Sequence, residues 1–404
     1  MNSDPDEQIP FLSIGFRPFF LLAGIYAVIA MLAWISWLML HGANAVILNP
    51  TIAVPAHLWH GHEMLFGFTA AVITGFMLTA VPGWTGARRV AGLQLILLVS
   101  VWTAGRIVMW FSSFLPALLV AVVDMAHLPL LAGTVALALF KQPTPRNLIF
   151  LVLLMVLVTA NGAIHIEWIG WHENTASWGL SVALVDTVLL VVILAGRIVP
   201  SFTRNAMMRQ GTTEHFPHSI EALDRASIAS VAALLLCFIL GPPDAITGLV
   251  AMIAALANLA RLFLWRTAAV LRQPILWSLH LAYLWIPVGL AALAAAIFYD
   301  FGSQSGALHI LAVGAVGGMT LAMMSRAPLG HTGRPLVVRR SIACAYLLVT
   351  AAALLRGFIL DISSGSYFVV IFAAGGLWIS GYAIFVAVYL PILSGPSLKD
   401  QGAN

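Results

Sequence analysis

Long apolar runs alternate with short polar breaks along the whole of this chain. A helix needs about 20 predominantly apolar residues to cross the hydrocarbon core of a bilayer. Runs of that kind fall near 18–40, 58–81, 90–111, 115–140, 147–165 and 177–199. Six more fall near 226–241, 245–263, 275–299, 305–325, 338–360 and 366–393. The breaks carry Pro, Gly or charge, as in VPGWTGARR at 81–89, KQPTPRN at 141–147 and GPPD at 241–244. The pattern predicts an all-α polytopic membrane protein of about twelve transmembrane helices, forming one transmembrane domain over 1–404. The longest polar stretch, roughly 201–225, is expected to be a loop between helices 6 and 7.

Composition agrees: 61% of the residues are hydrophobic and 8% are charged. Water-soluble domains carry roughly 25% charged residues, so this chain must present its surface to lipid. The net charge of +4 does not indicate a nucleic-acid partner, because the positions of the basic residues explain it. With the N-terminus and every even-numbered loop on one side, the other side keeps only Arg106 and Arg356 of the 19 Lys and Arg. Such an asymmetry places both termini in the cytoplasm. The first ten residues are acidic (Asp4, Asp6, Glu7) and lack a basic segment, so the first run is expected to be a permanent span. Cys237 and Cys344 lie singly in apolar runs, which excludes CxxC and CxxCH chemistry. The pentapeptide AGRIV occurs at 104–108 and again at 195–199, as an internal repeat or by chance.

Ionisable groups inside a bilayer are costly unless paired or hydrated, so each is a candidate for function. The densest cluster opens helix 2: His57, His60, His62 and Glu63 in AHLWHGHEMLFGF. His57 and His60 share a helical face, as do His60 and Glu63, whereas His62 points about 160° away from His60. One helix therefore cannot bring both His60 and His62 to one metal unless its first turn is unwound; they serve two centres, or one is a ligand and the other supports it or relays protons. Asn161 and His165 end helix 5, His309 begins helix 10 ahead of Gly314, Gly317 and Gly318, and His280 with Tyr283 lies nearer the cytoplasmic end of helix 9. The helix 10 glycines admit either a neighbouring helix or a flat macrocycle. Arg106 and Asp124 lie at matching depth on helices 3 and 4 and are expected to pair, while Asp186 has no evident partner. Neutral imidazole is the commonest biological metal ligand, so the histidines point to a metal or haem site. Arg326, with Arg197, Arg204 and Arg334, lies where topology expects basic residues, and a guanidinium there also suits an anionic ligand such as a haem propionate.

Several segments taken together resemble the NnrS family: GFRPFFLLAG (15–24), WHGHEMLFGFTAAVITGF (59–76), TAVPGWTG (79–86), AGRIVPSFTRNA (195–206) and HILAVGAVGGMTLAMMSRAPLGHTGRPL (309–336). The resemblance covers nearly the whole chain. It implies a multi-pass protein of the bacterial inner membrane, linked to nitric oxide metabolism and nitrosative stress and containing haem b and copper. It places His60, His62 and Glu63 in the helix 2 signature and His309 and His331 in the last one, with His165 and His280 in less distinctive segments. His57 lies just outside the helix 2 string.

Two readings follow. In the first, the protein is a haem enzyme or a haem sensor: nitric oxide binds a His-ligated haem from the lipid phase and, in an enzyme, is reduced to nitrous oxide. That reading expects haem ligands among His60, His62, His165, His280 and His309, with Arg326 on a propionate. It expects copper on His57, His60, His62 or His331, Glu63 as the catalytic proton carrier, and a quinol or other electron donor. A homo-oligomer is compatible with it. In the second, the protein transports copper or a small metabolite, using the histidines and Met319, Met323 and Met324.

Overall fold

The computed structural model describes residues 9–42, 51–359 and 366–398. Among these residues there is no strand, and twelve helices are long and apolar enough to cross a membrane. In chain order they are α1 Phe16–His41, α2 Ala56–Thr85, α3 Gly92–Trp110, α4 Ala117–Leu139, α5 Pro145–Ile169 and α6 Thr175–Arg209. They continue with α7 Glu221–Leu240, α8 Asp244–Phe263, α9 Pro274–Tyr299, α10 Gln304–His331, α11 Arg340–Ile359 and α12 Tyr367–Ser394. Leu93, Leu137, Val152, Leu240 and Phe263 are exposed, as lipid-facing side chains must be.

The helix count matches the apolar runs, and the largest boundary change is in α6. Pro200 suggests a break, yet the helix continues to Arg209. Thr203, Ala206 and Met207 are buried while Ser201, Arg204, Asn205, Met208 and Arg209 are exposed. That is a helical stripe, so the stretch expected as loop over 201–225 is loop only from about Gln210 to Ile220. Likewise α10 runs on through Pro328 to His331, which puts His331 on a helix end.

Two helices depart from regular geometry where polar residues enter. In α2 a π-helical segment, Glu63–Thr69, follows the first seven residues, and the Thr69 hydroxyl bonds to the Met64 carbonyl at 2.8 Å. A π segment accommodates an extra residue and re-aims the side chains beside it. In α4 the helix is interrupted between Met125 and His127. Pro129 has no N–H for the Met125 carbonyl, which accounts for the interruption just after Asp124. A second π segment, Ile310–Gly317, lies in α10.

The residues form two compact units, dividing within α6, α10 and α12. The first contains 1–183, 327–335 and 385–404. In it Arg17 is anchored on the Leu393 carbonyl at 3.1 Å, and Leu398 N–H bonds to the Thr332 carbonyl at 3.0 Å. The second contains 184–326 and 336–384. Its polar node is Arg261, which donates from Nε to Asp224 (2.6 Å) and from Nη1 to the Val192 carbonyl (3.0 Å). Beside it the Tyr283 hydroxyl donates to Asn258 at 2.6 Å. Gly196 is needed here because a Cβ would collide with the Arg261 guanidinium. Asp186 is fully buried, and neither of its oxygens meets a donor among the described residues.

Candidate metal centre

Five helices of the first unit bring polar side chains to one buried cluster. Tyr26 comes from α1, His62 and Glu63 from α2, Arg106 from α3, Asp124 from α4, and Asn161 and His165 from α5. His62 and Glu63 have no exposed surface, and the others are buried. Glu63 ends the regular first turns of α2 and begins the π segment, so its neighbour His62 faces α4 and α5 while Glu63 faces α1 and α3. Gly67, one turn on, lets these groups close over the helix. A Cβ there would meet the Tyr26 ring, and would stand 3.1 Å from both Arg106 Nη1 and Glu63 Oε2.

The geometry is convergent. His62 Nε2 lies 3.2 Å from Asp124 Oδ2 and 3.0 Å from Asn161 Oδ1, and His165 Nε2 lies 2.8 Å from the same Asp124 oxygen. The Asn161 amide donates to that oxygen at 3.0 Å. On its other side, His62 Nδ1 bonds to Glu63 Oε1 at 2.8 Å. Arg106 Nη1 donates to both Glu63 oxygens, at 2.8 and 2.7 Å, and Nη2 donates to Asp124 Oδ1. The Tyr26 hydroxyl donates to Glu63 Oε2 and accepts from Trp110 Nε1 at 3.0 Å. Trp168 packs against both imidazoles, 5.2 Å from each, and helps to close the cluster off.

Charge and donor chemistry both leave room for a cation. Two carboxylates face one guanidinium, so balance requires one more positive charge, from a proton on an imidazole or from a bound metal. One oxygen of Asp124 and one ring nitrogen each of His62 and His165 all lie within 4.8 Å of one another. Ligands about 2.0–2.2 Å from one ion stand roughly 3–3.5 Å apart, and the two His–Asp124 separations, 3.2 and 2.8 Å, are near that range. A His₂–carboxylate set suits copper, iron or zinc. Glu63 holds His62 by Nδ1 and so leaves Nε2 to ligate, as carboxylates behind metal-bound histidines do. The Asp124 carboxylate itself bridges the ring nitrogens of His62 and His165.

The other histidines lie elsewhere. His60 is half-buried and stacks on Trp34 at 4.7 Å, and His57 is exposed at the start of α2, so His60 and His62 do serve different surroundings. His331 is exposed with its ring 5.6 Å from Phe16. In the second unit, His280 has both ring nitrogens on threonine hydroxyls, Thr203 at 2.9 Å and Thr267 at 3.0 Å. His309 is half-buried and its Nδ1 bonds to the Ser305 carbonyl at 2.7 Å, which fixes the ring with Nε2 as the nitrogen for a ligand. The flat groups that α10 admits are indoles: a Cβ on Gly314 would collide with Trp285, and one on Gly317 with Trp378. Arg326 lies over the Phe202 ring at 3.6 Å.

The expected Arg106–Asp124 pair forms, but Arg106 also clamps Glu63. The sequence pointed to Asp124 as the partner of Arg106 alone and not as the carboxylate shared by two histidines. It missed Tyr26 entirely, since a tyrosine in an apolar run carries no signal until its partner is known.

A family model described as NnrS protein matches residues 10–397, nearly the whole chain. No curated protein matches the chain.

Proposed function

Because the chain belongs to the NnrS family, we propose that it is a metalloprotein of the nitric oxide response in the bacterial inner membrane, binding nitric oxide at protein-held metal. The observation that carries this reading is the buried convergence of His62, Asp124 and His165, with Glu63 orienting His62. We assign copper to this set. A metal there supplies a position at which a small neutral ligand coordinates and is polarised. The protein's own part is to hold the donors in place and exclude water, and nitric oxide can arrive through lipid without a polar channel.

Haem b, implied by the family resemblance, is assigned to His309, whose ring is already fixed by the Ser305 carbonyl. Reduction of two nitric oxide molecules to nitrous oxide and water takes two electrons and two protons. The electrons are assigned to a quinol or similar donor, and Glu63 is the proton carrier nearest the cluster. The transport reading gains no specific support: Met319 and Met324 are packed in the core of the second unit.

The test is copper titration of detergent-purified protein, with optical and EPR spectra taken with and without nitric oxide. One copper per chain is expected, lost in both His62→Ala and His165→Ala, with spectra that change on nitric oxide addition. Copper bound equally well by both variants overturns the assignment. A Soret band lost only in His309→Ala checks the haem assignment separately.

A further inference from the structure

In the first unit, the ends of α2 and α4 and the start of α3 meet around a cavity of about 200 Å³, at the far end of α2 from His62. Its floor is apolar: Met77, Leu78, Val81 and Val135 line it and are buried. Its rim is basic and polar: Arg88, Gln94 and Lys141 line it and are exposed, and none of the described lining residues is acidic. Arg88 follows α2 and Lys141 follows α4, so both cations lie on even-numbered connections and share one side of the membrane. The distribution of Lys and Arg predicts that side to be cytoplasmic. Leu137, also on the lining, is 76% exposed, and Leu93, beside Gln94, is 74% exposed. Apolar side chains so exposed face lipid, and the cavity thus opens at the edge of the lipid-facing surface.

We propose that this cavity binds an anionic phospholipid, with the headgroup phosphate between Arg88 and Lys141 and the start of an acyl chain against Leu137. Basic pockets between transmembrane helices on the cytoplasmic side are suited to anionic headgroups. A guanidinium matches two phosphate oxygens at once, an ammonium adds a compact second charge, and the Gln94 amide supplies a further donor. The apolar floor and the lipid-facing flank favour an amphiphile over a free anion, which has nothing to place against Val81 or Leu137. The cavity is smaller than the roughly 300 Å³ at which sites for drug-sized ligands begin, so it suits a phosphate and its glycerol and not a macrocycle. A zwitterionic lipid would bring its own cation toward Arg88 and Lys141, whereas phosphatidylglycerol brings only negative charge. A headgroup seated there joins the end of α2 to the end of α4. Those two helices carry His62 and Asp124, so the lipid fastens at its far end the pair of helices that meets in the polar cluster. The inference is independent of which metal, if any, the cluster holds.

The experiment uses full-length protein, delipidated in detergent and titrated with phosphatidylglycerol or phosphatidylcholine, with bound lipid counted by native mass spectrometry and thermal unfolding followed in parallel. The parent is expected to retain phosphatidylglycerol in preference to phosphatidylcholine and to unfold at a higher temperature with it, since a ligand of the folded state stabilises that state. Arg88→Gln/Lys141→Gln is expected to weaken phosphatidylglycerol binding by roughly 10–30-fold, the effect of removing two basic groups beside an anionic headgroup. Arg339→Gln/Arg340→Gln takes the same charge from the same predicted side at residues that do not line the cavity, and is expected to leave binding unchanged. Ala138→Trp fills the cavity with both charges in place and is expected to remove the tightly bound lipid. Equal losses in the two double variants, or equal retention of the two lipids by the parent, overturn the proposal. Inorganic phosphate that displaces the lipid as well as a short-chain phosphatidylglycerol does would assign the site to a free anion and also overturn it. Should Arg88→Gln/Lys141→Gln fail to fold, undiminished binding in Ala138→Trp overturns it instead.

Discussion

Glu63 takes part in four hydrogen bonds with three side chains, and its position explains why the cluster tolerates burial. It accepts from Arg106 twice, from Tyr26, and from His62. A buried carboxylate so paired avoids the desolvation penalty that an unpaired one would suffer. Removing its charge without its shape tests its orienting role. Glu63→Gln is expected to keep the fold and lower copper affinity by about 10–100-fold, the usual effect of losing a carboxylate behind a histidine ligand. The measurement is a competitive copper titration, and an unchanged affinity would remove Glu63 from that role. The residue types were legible in the sequence, since His62, Glu63 and His165 stood out as ionisable groups in apolar runs. Asp124 was seen and given a smaller part, because helical periodicity reports which face a residue lies on and not which neighbour that face meets. Tyr26 was invisible for the same reason: its partner is 37 residues away.

Helix α2 shows what a local irregularity can accomplish. An ideal helix turns 100° per residue, so adjacent residues such as His62 and Glu63 always diverge. Here the divergence is used, with His62 directed to α4 and α5 and Glu63 to α1 and α3, while the π segment beyond them makes room for Gly67 beneath Tyr26 and Arg106. Gly67→Ala is expected to destabilise the first unit by roughly 1–3 kcal/mol, as overpacking does, and to weaken copper binding with it. Thermal unfolding and copper titration of the same variant would reveal this, and normal values for both would mean that the neighbours yield freely. The π segment was not legible, because its sequence, EMLFGFT, reads as ordinary apolar helix. Nor was the continuation of α6 past Pro200, where the polar residues from Ser201 onward read as loop and outweighed the amphipathic stripe they form.

At the scale of the whole molecule, the twelve spans were readable because the bilayer imposes one length requirement that a sequence either meets or fails. The distribution of charge predicts the orientation of those spans, since 17 of the 19 Lys and Arg fall on the even-loop side. We expect single cysteines placed at His218 or Arg339 to be shielded from an impermeant thiol reagent in intact cells, and one placed at His172 to be labelled. The background is Cys237→Ser/Cys344→Ser. The opposite labelling pattern would invert the topology. The division into two compact units within α6, α10 and α12 was not legible, because apolar runs mark where helices cross but not which helices pack together.

The distribution of the buried cluster over α1 to α5 also constrains how the protein is made. Each of Glu63, Arg106 and Asp124 emerges from the ribosome in a separate span, and the two histidines that share Asp124 are 103 positions apart. During synthesis Glu63 therefore leaves the ribosome before Arg106, and Asp124 before His165. The donor set is complete once the fifth of twelve spans has been made, so a metal that needs all three donors can be captured before the second half of the chain exists, and no earlier than His165.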